Sequence, residues 1–137
     1  MFWSDLEKYR DAGLLLLRAF FGLYMAIGHG YGKITGGPEQ WAQLGGVMDG
    51  LLGIGFLPTL WGFLAAAAEF IAALMVTIGL LTRPAALLVT LNMLVAASAH
   101  MSGVIDGGPE MALLYAVVFF SLIFVGPGRY SIDDMNR

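Results

Sequence analysis

PTLWGFLAAAAEFIAALMVTIGLLTRPAALLVTLNMLVAASAHM, residues 58–101, is the stretch whose reading decides the fold. It holds two apolar runs, 58–81 and 84–101, joined by Thr82-Arg83. Each run reaches the roughly 17–25 residues that cross a hydrocarbon core of about 30 Å. Thr82 is suited to cap the second run, and Pro84 to sit in its first turn. A link this short forces an antiparallel hairpin. Working outward, residues 12–33 and 109–125 are apolar stretches of the same kind. Gly36-Gly37-Pro38, Gly107-Gly108-Pro109 and Gly126-Pro127-Gly128 punctuate them.

Composition agrees. The chain has 137 residues, 58% of them hydrophobic and 12% charged, with a mean hydropathy of +0.78. A soluble domain carries about 25% charged residues. The sequence therefore predicts an all-α integral membrane four-helix bundle, one domain over residues 1–137. The net charge of −3 offers no footprint for nucleic acid. The absence of cysteine removes disulfides and thiol redox chemistry. The leader before the first run mixes Asp5, Glu7, Lys8 and Arg10, and Gly28-His29-Gly30-Tyr31 comes after it, so the run reads as a retained helix and not a secretory signal.

Residues 38–55 are too short and glycine-rich to span, yet Trp41, Leu44, Met48, Leu51 and Leu52 recur near helical spacing. This predicts a short interfacial amphipathic helix between the first two spans, with an ordinary loop as the alternative. Lys8, Arg10, Arg83, Arg129 and Arg137 fall on one side of the bundle and Lys33 alone on the other. The positive-inside rule then places both termini in the cytoplasm.

Ionisable groups within a bilayer are costly, so each is a functional candidate. Arg18, Gly22, Met25, His29 and Lys33 form one stripe on the first helix. Asn92, Ala96 and His100 share a face of the third, and Glu110, Leu114, Val117 and Ser121 a face of the fourth; these polar faces are expected to turn toward the inside of the bundle. Glu69 lies among the alanines of the second. At about 1.5 Å per residue from the termini side, Arg18 comes roughly 9 Å in, Asn92 about 12 Å, Glu69 about 19 Å and both histidines near 25 Å. That predicts an inner pair, an outer cluster and Glu69 between them. One reading is structural: Glu69 pairs with Arg18 or a histidine and fixes the packing. The other is a quinone headgroup pocket, with His29, His100 or Lys33 donating to its carbonyls and Glu69 or Glu110 exchanging protons. The level histidines also suit an axial haem pair, or a metal site completed by a carboxylate. Chance explains such a pair as well, so neither haem nor metal is expected. Gly28 and Gly32 on the first helix, and Gly62 with Ala66 on the second, repeat the small-xxx-small packing pattern, which allows a homo-oligomer.

These residues resemble the DoxX family in order along almost the whole chain. The matching elements are Leu17-Arg18; Gly28-His29-Gly30-Tyr31-Gly32-Lys33-Ile34; Ala68-Glu69; residues 79–86 at the hairpin turn; His100; Glu110; and residues 126–133. The resemblance implies a small four-helix protein of the bacterial inner membrane. It also implies kinship with the membrane subunit of thiosulfate:quinone oxidoreductase. By that analogy Arg18, His29, Lys33, Glu69, His100 and Glu110 are candidate quinone-binding residues, in a subunit that receives electrons from a partner protein. The alternative it leaves open is a non-enzymatic scaffold or accessory subunit of a larger membrane complex.

Overall fold

The computed structural model describes residues 2–137, and the described chain is helical without strands. We label the elements α1 (Phe2–Ile34), α2 (Pro38–Leu52), α3 (Pro58–Ile78), α4 (Thr82–Met101), α5 (Glu110–Val125) and α6 (Ile132–Met135). By length and hydropathy α1, α3 and α4 can each cross a membrane, and α5 is a shorter apolar helix of 16 residues. The bundle is turned inside out relative to a soluble one. Its core is rich in small residues, among them Ala26, Ala66, Ala73, Ala86 and Ala116, while Leu16, Phe20, Leu114 and Phe124 face outward. Small residues inside let backbones approach closely, and large apolar ones outside meet lipid tails. This is an all-α membrane bundle.

The helix expected at 38–55 forms as α2. Pro38 opens it, and Gly53, in the left-handed conformation at φ 69°, closes it as Ile54 donates back to the Met48 carbonyl. α2 packs tightly on the start of α3 through two glycines. A Cβ at Gly62 would collide with the Trp41 carbonyl, and one at Gly45 with the Pro58 carbonyl. Gly62 and Ala66 do make a close contact, but Gly28 and Gly32 are exposed, with no contact to another helix.

Two expectations about the helix ends and faces need correction. α4 starts at Thr82, and the Thr82 hydroxyl does not cap it. The cap comes from far along the chain: the Leu81 and Thr82 amides donate to the Asp133 carboxylate at 2.7 and 2.8 Å. Asp133 is itself positioned because Ser131 caps α6 and the Asp133 amide donates to the Gly79 carbonyl. On α5 the buried face is Ala112, Tyr115, Ala116, Phe119 and Leu122. The stripe of Glu110, Leu114, Val117 and Ser121 points outward. Ser121 tolerates that position because its hydroxyl donates to the Val117 carbonyl at 2.8 Å, so it brings no unpaired donor into lipid.

Candidate functional site

α1 and α3 meet through paired departures from α-helical geometry. Each contains a π-helical segment, Tyr24–Gly30 and Ala68–Ala72. A π turn bonds five residues back, which admits an extra residue and rotates the remainder of the helix about its axis; such segments recur at functional sites. Gly30 lies directly against the Glu69–Phe70 peptide, where a Cβ would collide with backbone. Gly30 is therefore buried in this segment together with Met25 and Ala26, and His29 and Lys33 are half-buried beside it.

Glu69 is 4% exposed. A lone carboxylate at such a position would cost several kcal/mol, and three donor contacts offset that cost here. Lys33 Nζ reaches both carboxylate oxygens, at 2.9 and 2.7 Å, and Asn92 Nδ2 donates to Oε1 at 2.9 Å. Charge-assisted bonds of this kind are roughly twice as strong as neutral ones. The cluster ties α1, α3 and α4 together. Trp41 on α2 adds a fourth element by donating its indole N–H to the Lys33 carbonyl at 2.9 Å. Glu69 thus pairs with Lys33, and not with Arg18 or a histidine. Asn92 belongs to this cluster and not to an inner pair with Arg18. Counting rise along straight rods overstated the separation, because the π-helical turn around Glu69 lies within the counted path and the two side chains reach toward each other.

Beside the ion pair is a cavity of about 140 Å³, lined on its polar side by His29, Lys33, Glu69 and His100. Met25, Met93, Ala112 and Tyr115 supply apolar walls. The His29 ring stands edge-on to Tyr115, with centroids 5.7 Å apart. His100 Nδ1 is buried and has no hydrogen-bond partner. Four of the six candidate residues therefore converge on one space. Glu110 does not join them: it is exposed in the first turn of α5, outside the cavity lining. Asn92, Tyr115 and the two methionines complete the site; the spacing of Asn92 with His100 already pointed to the first of these. Among the described residues no group of three or more His, Asp and Glu side chains is arranged to hold a metal ion.

Arg18 lies at the other end of the bundle. It is fully buried, and its Nη1 donates to the carbonyls of Val76 at 3.2 Å and Thr77 at 2.9 Å, at the last turn of α3. Its Nη2 donates to the Tyr130 carbonyl. Gly79, at φ 74°, makes room for this packing, since a Cβ there would strike Ser131. Arg18 therefore satisfies carbonyls that the end of a helix leaves without partners, and it locks the C-terminal segment under α3.

Fold and site together define an all-α membrane protein with a buried ion pair and a small polar-edged cavity near the end opposite its termini. The chain belongs to the DoxX family, whose model matches residues 13–101. It is also 31% identical over 138 residues to an uncharacterized protein of Haemophilus influenzae, the match covering 96% of each chain. No solved structure matches it.

Proposed function

We propose that this chain is the membrane subunit of a quinone-linked oxidoreductase of the bacterial inner membrane, with both termini cytoplasmic and a quinone ring held in the cavity between His29, Lys33 and His100. The observation that supports this most is the convergence of His29, Lys33 and His100 on a cavity of about 140 Å³. An apolar cavity of about 150 Å³ takes up benzene, so there is room for one six-membered ring. A quinone carbonyl is an acceptor without a proton of its own. An imidazole N–H of His100 supplies one donor. Lys33 supplies another, because its ammonium carries three N–H groups and Glu69 accepts two of them.

A bound quinone would contribute its two-electron, two-proton chemistry. The chain's own residues bind and orient the ring and hold protons near it. Glu69, fixed by Asn92, keeps the Lys33 ammonium at the cavity edge. The 32% exposure of the Lys33 side chain gives that pair access to the surroundings. With no cysteine in the sequence, the electrons come from a protein partner docked on the membrane domain.

The saturated Lys33–Glu69–Asn92 cluster also favours a second reading, an accessory subunit in which these residues only hold helices together. Solvent extraction of protein purified from its membrane separates the two. The quinone reading expects co-purified quinone in near-stoichiometric amount, and its loss from His29→Leu and Glu69→Gln proteins that still fold. Absence of quinone, with variants that are merely less stable, supports the accessory reading.

A further inference from the structure

A second polar recess lies at the end of the bundle that carries both termini, between the start of α1, the start of α4 and the segment after α5. We propose that it binds the phosphodiester headgroup of an anionic phospholipid. Arg10, Arg83, Arg129 and Arg137 converge on it from three separated parts of the sequence, around a space of about 340 Å³. The two acids in the same lining, Asp11 and Asp134, are already engaged. Asp11 accepts the Arg129 backbone N–H at 3.2 Å, and Asp134 lies 3.9 Å from Arg137. The guanidinium groups thus outnumber the carboxylates, and the side chains of Arg10 and Arg129 have no partner among the described residues.

The donor chemistry is selective. All four cations are arginine, whose planar fork matches phosphate oxygens two at a time, whereas lysine acts as a point charge. Arg83 is oriented in advance: its Nε donates to the Ile123 carbonyl at 2.9 Å, and its terminal nitrogen crosses Gly126, where a Cβ would approach to 2.9 Å. That leaves its terminal N–H groups for a ligand. Leu14 on α1 and Val125 at the end of α5 form the apolar part of the lining. A recess with an arginine rim and apolar walls where helices leave the bilayer fits a headgroup with its acyl chains attached. On the orientation that the charge distribution predicts, this is the cytoplasmic leaflet, where basic pockets between helices bind anionic lipid headgroups.

The test uses the full-length protein, delipidated in neutral detergent and titrated with phosphatidylglycerol, phosphatidylcholine or inorganic phosphate, with bound lipid counted by native mass spectrometry. Phosphatidylglycerol should be retained at least about tenfold more tightly than phosphatidylcholine, and millimolar phosphate should not displace it. Arg10→Gln combined with Arg129→Gln should lower that preference about tenfold while leaving the unfolding temperature of the lipid-free protein unchanged, because neither side chain supports the fold. Lys8→Gln, a basic residue outside the recess, should change nothing. Equal retention of the two lipids, full displacement by phosphate, or an Arg10/Arg129 variant indistinguishable from wild type would each overturn the assignment.

Discussion

At the termini-bearing end, Arg18 is fully buried with its terminal nitrogens engaged by three carbonyls, packed under Gly79 and Ser131. At the opposite end, Glu69 is almost as deeply buried, yet its partner Lys33 is a third exposed and a cavity lies alongside. Both ends solve the same problem, a charge inside a membrane bundle. The first does it with backbone carbonyls at the end of α3 and in the segment after α5. The second uses side chains from three helices, beside a ring-sized space that His29 and His100 also line. Depth of burial therefore does not tell the two apart, and neither does an unpartnered atom, since Arg18 Nε is buried without a partner as His100 Nδ1 is. What separates them here is the cavity beside Glu69.

The comparison can be broken most sharply at Arg18. Arg18→Met strands the carbonyls of Thr77 and Tyr130, while Val76 keeps its bond from the Gly79 amide, and should cost about 3–5 kcal/mol, read from thermal or denaturant unfolding in detergent. A loss below about 1 kcal/mol would remove the structural role assigned to that end. Lys33→Met comes next. It leaves Glu69 buried and charged, but partial exposure of Lys33 moderates the loss to about 2–3 kcal/mol. Lys33→Met with Glu69→Leu should be more stable than Lys33→Met alone, and a double-mutant cycle shows whether the coupling exists.

Asp133 gives a smaller, pH-dependent effect. Burial acts to raise its carboxyl pKa, but the Thr82 and Leu81 amides and the Arg18 charge outweigh burial and hold it below the ordinary 3.8. A folded pKa below the unfolded one gives stability that is present in full above the unfolded value and disappears as pH falls through the folded value. Asp133→Asn should therefore cost about 1 kcal/mol at neutral pH, and the difference from wild type should close as the pH is taken below 3.8. A penalty that stays constant down to acid pH would show that charge is not what Asp133 contributes. The smallest effect belongs to Ser121→Ala on the outward stripe of α5, expected within about 0.5 kcal/mol and silent in any ligand assay.

Much of this molecule is legible in the sequence because membrane physics is severe. The apolar runs, the glycine–proline breaks and the brief Thr82-Arg83 turn admit few alternatives to an antiparallel bundle. The grouping of His29, Lys33, Glu69 and His100 comes from helical spacing and rough depth. The rest depends on features that spacing does not encode. Serine on α5 imitates a buried polar stripe, although its own helix satisfies it. Two π-helical segments, which no residue pattern announces, hold the buried Gly30 and the Glu69 that Asn92 bonds. The true cap of α4 lies 51 residues away in sequence from Thr82, beyond the reach of any local capping rule. The resemblance to DoxX proteins picked out the segment that holds Asp133 without saying what it does.

The central claim is that the cavity beside Glu69, and not the Arg18 site, takes up a quinone ring. Its most direct test is titration of the purified protein in nanodiscs with a short-tailed benzoquinone, monitored through quenching of the tryptophan fluorescence. Wild type should bind saturably, and His100→Leu should bind at least about tenfold more weakly at unchanged unfolding temperature, whereas Asp133→Asn should bind like wild type. No saturable binding, or equal affinity in wild type and His100→Leu, would contradict the account.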